Sequence, residues 1–136
     1  MTAAPRIVGI DHVGIKATDM DRSLAFYRDR LGLAVLRRLA REGGLEVAVL
    51  AVGGGQEINL FARAGFDAPP GGDPVGLDHV CFAVDAPDGM DALVAALAAR
   101  GAVSDRPPQT RRDGVSLFLS DPDGCRIELI VKTQAP

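Results

Sequence analysis

Tryptophan is absent from this 136-residue chain, tyrosine occurs once, and five phenylalanines complete the aromatic set. With 47% hydrophobic residues and so few rings, the core must be aliphatic, and a chain of this length folds as one domain burying roughly 68% of its unfolded surface. Cysteine is scarce as well. Cys81 and Cys125 are too few for a disulfide scaffold, so free thiols in a reducing cytoplasm are expected. The longest apolar run, Ala92 to Ala99, has eight residues, whereas a membrane span needs about 20. Met1 to Arg6 has no charged start leading into an apolar stretch, so no export signal is expected. A basic excess is also missing: 15 Lys and Arg stand against 18 Asp and Glu, for a formal charge of −3. That balance argues against general nucleic-acid binding, which needs cations to neutralise phosphates.

What the sequence does contain is a repeat. Gly9-Ile10-Asp11-His12-Val13-Gly14-Ile15 reads against Gly76-Leu77-Asp78-His79-Val80-Cys81-Phe82 at an offset of 67. After a short indel the offset settles at 69, where Gly32 meets Gly101, Leu50 meets Leu119, Gly55 meets Gly124, and Ile58-Asn59-Leu60 meets Ile127-Glu128-Leu129. The chain is thus read as two copies of one unit, residues 6–62 and 76–132, joined by a Pro- and Gly-rich linker over 63–75. Each copy reads strand, helix, strand, strand, strand. The first strand is expected over Ile7–Lys16, and a helix then starts near Thr18 or Asp19 with the stripe Met20, Leu24, Tyr27, Leu31 and a stop at Gly32. In the second copy Asp88 is the expected cap, Met90, Leu93, Val94 and Leu97 form the stripe, and Gly101 is the stop. Further strands are expected near 34–41, 45–52, 57–62, 102–106, 114–120 and 125–132, with turns at Gly53-Gly54-Gly55 and Asp121-Pro122-Asp123-Gly124.

Strand parity sorts the side chains. If Val13 and Ile15 cover the helix, His12 and Gly14 point the other way. By the same alternation, His79 falls with Cys81, Glu57 with Asn59 and Phe61, and Glu128 with Arg126 and Ile130. The polar candidates therefore share the face turned away from the helices, which is expected to be a cleft. The chain's only two histidines occupy equivalent places in the repeat. Two imidazoles and one carboxylate make a three-point ligand set that leaves coordination positions of a divalent metal open to substrate or water. His12, His79 and Glu128 are the candidate triad. A single strand histidine is ordinarily a satisfied polar group, but two of them and a carboxylate facing one cleft without a cation would lack partners. Asn59 stands where the repeat puts a fourth ligand. Glu57 is a substitute ligand, a catalytic base or a rim charge. Cys81 reads as a small buried apolar residue and Cys125 as a core residue. Arg37-Arg38, Arg41 and Arg111-Arg112 are either plain surface or a lure for an anionic substrate at the cleft mouth.

The segments Ile10-Asp11-His12-Val13-Gly14-Ile15, Ser23 to Leu33 (SLAFYRDRLGL) and Leu119 to Ile130 (LSDPDGCRIELI) resemble the vicinal oxygen chelate superfamily, over about Ile7 to Lys132. That superfamily includes glyoxalase I, methylmalonyl-CoA epimerase, fosfomycin-resistance thiol transferases, extradiol dioxygenases and bleomycin-binding proteins. The resemblance implies an α+β fold of two tandem βαβββ modules whose mixed sheets curve around a metal-binding cleft, usually in a homodimer. It implies His12, Asn59, His79 and Glu128 as metal positions for Ni, Zn, Co, Mn or Fe, with Asn59 departing from the Glu of glyoxalase I. The epimerase carries an amide there, as Gln, and its catalytic Glu falls at a distance similar to Glu42. Lys16 takes the place of a glutathione-contacting Arg, and Arg63 replaces an expected Asn, so half of a glutathione site is present.

The reading that follows is a metal-dependent lyase or isomerase of glyoxalase type, acting in the cytoplasm on a small oxygenated substrate chelated through neighbouring oxygens. Glu128, Glu42 or Glu57 is expected to move the proton. The alternatives are epimerisation of a CoA thioester, Fe(II)-dependent ring cleavage, and drug sequestration without catalysis.

Overall fold

The computed structural model describes residues 4–67 and 76–133. Two four-stranded mixed sheets repeat one topology. In the first, β1 (His12–Ala17), β2 (Ala34–Arg41), β3 (Leu45–Ala51) and β4 (Glu57–Ala62) lie in the order β1-β4-β3-β2. In the second, β5 (His79–Ala83), β6 (Gln109–Arg111), β7 (Gly114–Ser120) and β8 (Arg126–Lys132) lie in the order β5-β8-β7-β6. Both edge strands nearest the repeat's start, β1 and β5, pair in parallel with the last strand of their unit; the other pairings are antiparallel. The α+β class and the duplication are both realised.

Each unit's helix crosses between its first two strands. Helix α1 (Met20–Leu24) opens on Asp19, whose side chain accepts a hydrogen bond from the Arg22 backbone N–H at 2.8 Å. It widens into a π-helical stretch, Ala25–Arg30, marked by the i−5 bond from Leu31 N–H to the Phe26 carbonyl at 3.0 Å. The expected stripe is the buried one: Met20, Leu24 and Tyr27 are buried, and Leu31 packs against them. Gly32 ends the stretch at φ +81°, a backbone region costly for residues with a Cβ. Helix α2 (Met90–Ala99) buries Leu97 and packs Met90, Leu93 and Val94 onto the core. Its cap differs from expectation, since Gly89 occupies the position without a side-chain bond and Asp88 does not cap.

Two strands also differ. Residues 7–11 are not in β1; Ile7, Val8 and Ile10 are 86%, 88% and 71% exposed. The reason lies next door, because β4 begins at Glu57 in register with His12 and offers earlier residues no ladder. The expected strand at 102–106 is absent. Ala102 enters the core, Ser104 and Arg106 close a local turn (Ser104 Oγ to the Arg106 carbonyl, 2.8 Å), and Pro107-Pro108 supply no N–H donors. The three-residue β6 takes the edge instead. The linker read over 63–75 lies partly outside the described residues, which stop at Asp67 and resume at Gly76.

One apolar cluster joins the units. Leu24, Tyr27, Leu50, Ile58 and Leu60 from the first pack with Leu97, Leu117, Leu119, Ile127 and Leu129 from the second. Val13 and Val80 border this core, so the alternate residues of β1 and β5 face away from it.

Candidate functional site

The register of β1 with β4 aligns His12 with Glu57 and Gly14 with Asn59; that of β5 with β8 aligns His79 with Arg126 and Cys81 with Glu128. The duplicated positions thus stay equivalent in space. Gly14 lies on the same face as Phe61: a Cβ built on Gly14 would stand 3.1 Å from the Phe61 ring. His12 and His79 line one cavity of about 280 Å³ between β1 and β5, together with Glu57, Cys81 and Ile10. A single chain therefore puts both histidines on a common hollow.

Glu128 is the most constrained group of the set. It is 4% exposed, its Oε1 accepts from the Ser116 hydroxyl at 2.6 Å, and its Oε2 lies 3.0 Å from His79 Nε2. Burial pushes its pKa up, but the Ser116 hydrogen bond and the nearby Arg111, Cys81 and His79 together outweigh that and hold the carboxyl below its ordinary value. It is an anion at neutral pH. The Cys81 thiol beside it is pushed up to about 11, by burial first and the Glu128 charge second, so it stays protonated.

Each histidine is also held at its other nitrogen. His12 Nδ1 lies 2.6 Å from Asp11 Oδ2, and His79 Nδ1 lies 2.7 Å from Asp78 Oδ2. Carboxylates on Nδ1 orient imidazoles so that Nε2 is the ligand atom; on His79 that nitrogen faces Glu128 at 3.0 Å. These two aspartates and Ser116 were not singled out as site residues from sequence. The recurrence of Asp-His in both copies was the available signal for the first two, and strand parity for the third.

Asn59 carries the clearest sign of a missing partner. Its Oδ1 is buried and accepts no hydrogen bond among the described residues. A buried amide oxygen without a donor is costly, and a cation offers such an oxygen a natural partner. Together with the anionic Glu128 and two imidazoles presenting Nε2, this donor set fits a divalent metal. The brought-together pair is His79 and Glu128; His12 shares a cavity with His79, and neither Glu128 nor Asn59 is among the residues that line it. Among the described residues no cluster of three His, Cys, Asp or Glu side chains is drawn to metal-binding distance.

Other candidates are placed as follows. Glu57 is half-buried on the cavity wall. Glu42 is exposed in the Glu42–Gly44 turn between β2 and β3, beyond the Glu46–Ala62 end of the sheet, and does not line the histidine cavity. Cys125 packs against the core, as read from parity, whereas Cys81 is exposed on the site face and not buried, because it opens onto the cavity. Arg37, Arg38 and Arg41 lie exposed on β2, with Arg38 3.5 Å from Glu46. Lys16 and Arg63 both stack over the Phe66 ring, at 5.0 and 4.8 Å from its centroid.

With this geometry in hand, comparison with known proteins gives concordant results. The family model described as Glyoxalase/Bleomycin resistance protein/Dioxygenase superfamily matches residues 9–129. A lactoylglutathione lyase of Haemophilus influenzae is 33% identical over 125 residues, covering 88% of this chain and 89% of its own length. A glyoxalase family protein from Enterococcus faecalis superposes with a TM-score of 0.75 at 29% identity, covering 90% of this chain and 96% of that one. A glyoxylase/bleomycin resistance protein/dioxygenase domain from Frankia sp. gives 0.78 at 28% identity, covering 93% and 99%.

Proposed function

The chain belongs to the Glyoxalase/Bleomycin resistance protein/Dioxygenase superfamily, and on that premise we propose that it is a divalent-metal-dependent lyase or isomerase of lactoylglutathione lyase type. Its substrate is a small oxygenated molecule that chelates the metal through two neighbouring oxygens. The observation that carries this reading is the buried, unpartnered Oδ1 of Asn59 on β4, the strand equivalent in the repeat to β8, where Glu128 meets His79. Its enzymatic side rests on the similarity to a lactoylglutathione lyase.

His12, Asn59, His79 and Glu128 would hold the metal, whose identity is one of Ni, Zn, Co, Mn or Fe. When bound, the cation supplies Lewis-acid stabilisation of negative charge developing on the substrate oxygens. Asp11 and Asp78 accept from the imidazole Nδ1–H groups and leave Nε2 as the nitrogen available to a metal. Ser116 donates to Glu128 and fixes the orientation of its carboxylate. Glu57, on the cavity wall beside His12, would take a proton from the carbon bearing the substrate hydroxyl and return it to the neighbouring carbon. The isomerisation balances without a co-reactant.

Epimerisation of a CoA thioester is the second reading, favoured by the amide at Asn59. It lacks its base here, since Glu42 stands away from the histidine cavity. Cytoplasmic location and a homodimer belong to the proposal; the uncovered Ile7, Val8 and Ile10 beside β1 are apolar surface that a second copy would shield.

The test is reconstitution of the purified chain with each of the five metals and assay with the methylglyoxal–glutathione hemithioacetal. Turnover with at least one metal is expected, together with loss of both turnover and retained metal in His79→Ala. Absence of turnover with every metal rejects the lyase. Near-zero metal content after every reconstitution rejects the whole metal-dependent reading in favour of a binding protein.

A further inference from the structure

The two copies of the unit are not equally filled on their helix side. At the offset of 69 that aligns Gly55 with Gly124, Val52 answers Asp121 and Gly54 answers Asp123. The turn between β7 and β8 sets both aspartates against the first copy's helix: Asp121 accepts from the Tyr27 hydroxyl at 2.7 Å, and Asp123 accepts from Arg22 Nη2 at 3.0 Å. The turn between β3 and β4, Gly53–Gly55, brings no such side chain to the second copy's helix. A hollow of about 280 Å³ stands there instead, reaching from Val52 and Gly53 to Leu93 and Leu97 of α2. Leu31 and Leu33 wall it from the first copy, Phe82 and Val84 from the end of β5. These four and Leu93 are only half-buried, so apolar surface that close packing would take out of water stays within reach of it. Val52 and Phe82 also line the histidine cavity; no other residue is common to the two.

The lining decides what the hollow takes. Asp85, exposed at its edge, is the one charged side chain that lines it among the described residues. Water there finds too few polar partners, and an anion would lose its hydration and meet the Asp85 carboxylate. An apolar cavity of about 150 Å³ accepts one benzene, so a volume of about 280 Å³ has room for two fused rings. We propose that this hollow is a binding site for a neutral two-ring aromatic molecule. It is separate from the metal-chelating site, and the proposal does not depend on that reading.

The test titrates the purified full chain, without added metal, with indole and with indole-3-acetate while methyl proton–carbon NMR spectra are recorded. Indole is expected to saturate with a dissociation constant of about 1 mM or tighter. Its ring currents should shift the methyl groups of Leu31, Leu33, Val84, Leu93 and Leu97 and leave those of Leu24 and Leu60 in place. Indole-3-acetate carries the same rings with a carboxylate and should bind at least about tenfold more weakly. The φ of Gly53 lies outside the left-handed region, and a Cβ there would meet nothing within 4 Å. Gly53→Leu therefore fills the hollow from the turn, Leu93→Phe narrows it from the helix, and each should weaken indole binding at least about tenfold. Absence of saturation by indole, equal or tighter binding of indole-3-acetate, or unchanged affinity in both variants overturns the proposal. If a second copy of the chain covers this face instead, the same methyl groups shift on dilution of the free protein, and that result overturns it as well.

Discussion

Tyr27 shows how much one side chain can hold. It is fully buried, and its hydroxyl donates to Asp121 Oδ2 at 2.7 Å, while Asp121 Oδ1 accepts the backbone N–H groups of Asp123 and Cys125 at 2.9 and 2.8 Å. Burial and then the Asp121 charge raise the phenol far above its ordinary 10.0. The folded chain keeps this proton where the unfolded chain releases it, so stability is intact below pH about 10 and falls as pH rises past that value. With one tyrosine and no tryptophan, near-ultraviolet tyrosinate absorbance reports this group alone. It should appear only as the protein unfolds in alkali, and Tyr27→Phe should flatten the alkaline loss of stability. Tyrosinate absorbance rising near pH 10 in the folded protein would contradict the buried bond. Tyr27 was legible in the sequence as a stripe residue, because helical period alone places it. Its bond to Asp121 was not, since the partner lies 94 positions away. The site divides in the same way: parity put His79, Cys81, Glu57, Asn59 and Glu128 on one face, whereas exposure of Cys81 and the distance of Glu42 from the cavity depend on how the sheets sit together.

At the level of elements, the two helices make a controlled comparison. Asp19 caps α1 through a 2.8 Å bond to the Arg22 N–H, and the equivalent place in α2 is taken by Gly89 with no side-chain bond. Asp19→Ala should therefore lower the stability measured by urea unfolding by about 1 kcal/mol. Asp88→Ala should change it by no more than about 0.5 kcal/mol, as for ordinary surface substitutions. Equal losses would mean that Asp88 acts in a way its geometry does not show. Asp88 was a reasonable cap by residue type; what displaced it is the Gly89 backbone at φ +91°, which starts the helix one residue later. The strands err for a related reason. Ile7, Val8 and Ile10 have strand-forming side chains, yet a strand needs a neighbour, and the neighbour begins only at Glu57. Periodicity reports what a segment prefers and is silent on whether a ladder is there to meet it.

For the molecule as a whole, the question is whether the two copies of the unit behave as one body. Their apolar residues merge in a single cluster, and polar ties cross between them on the helix side. Asp123, in the turn between β7 and β8, accepts from the Thr18 N–H at 3.1 Å, the Thr18 hydroxyl at 2.5 Å and Arg22 Nη2 at 3.0 Å, with its side chain 9% exposed. Arg100, just past α2, donates to the carbonyls of Asp29 and Arg30 at 2.5 and 3.1 Å. The apolar cluster is continuous across both units, so calorimetry should give one transition with a calorimetric to van't Hoff enthalpy ratio of about one. Asp123→Ala strands the Thr18 N–H and removes an anchor of Arg22, which should cost about 1–3 kcal/mol. The decisive readout is hydrogen exchange. If the halves form one cooperative body, the variant lowers protection in β3–β4 and in β7–β8 by the same free energy, although Asp123 belongs to only one of them. Protection lost from one sheet alone, or two resolved transitions, would mean that the histidine cavity joins two independently opening units and that its walls part without unfolding either.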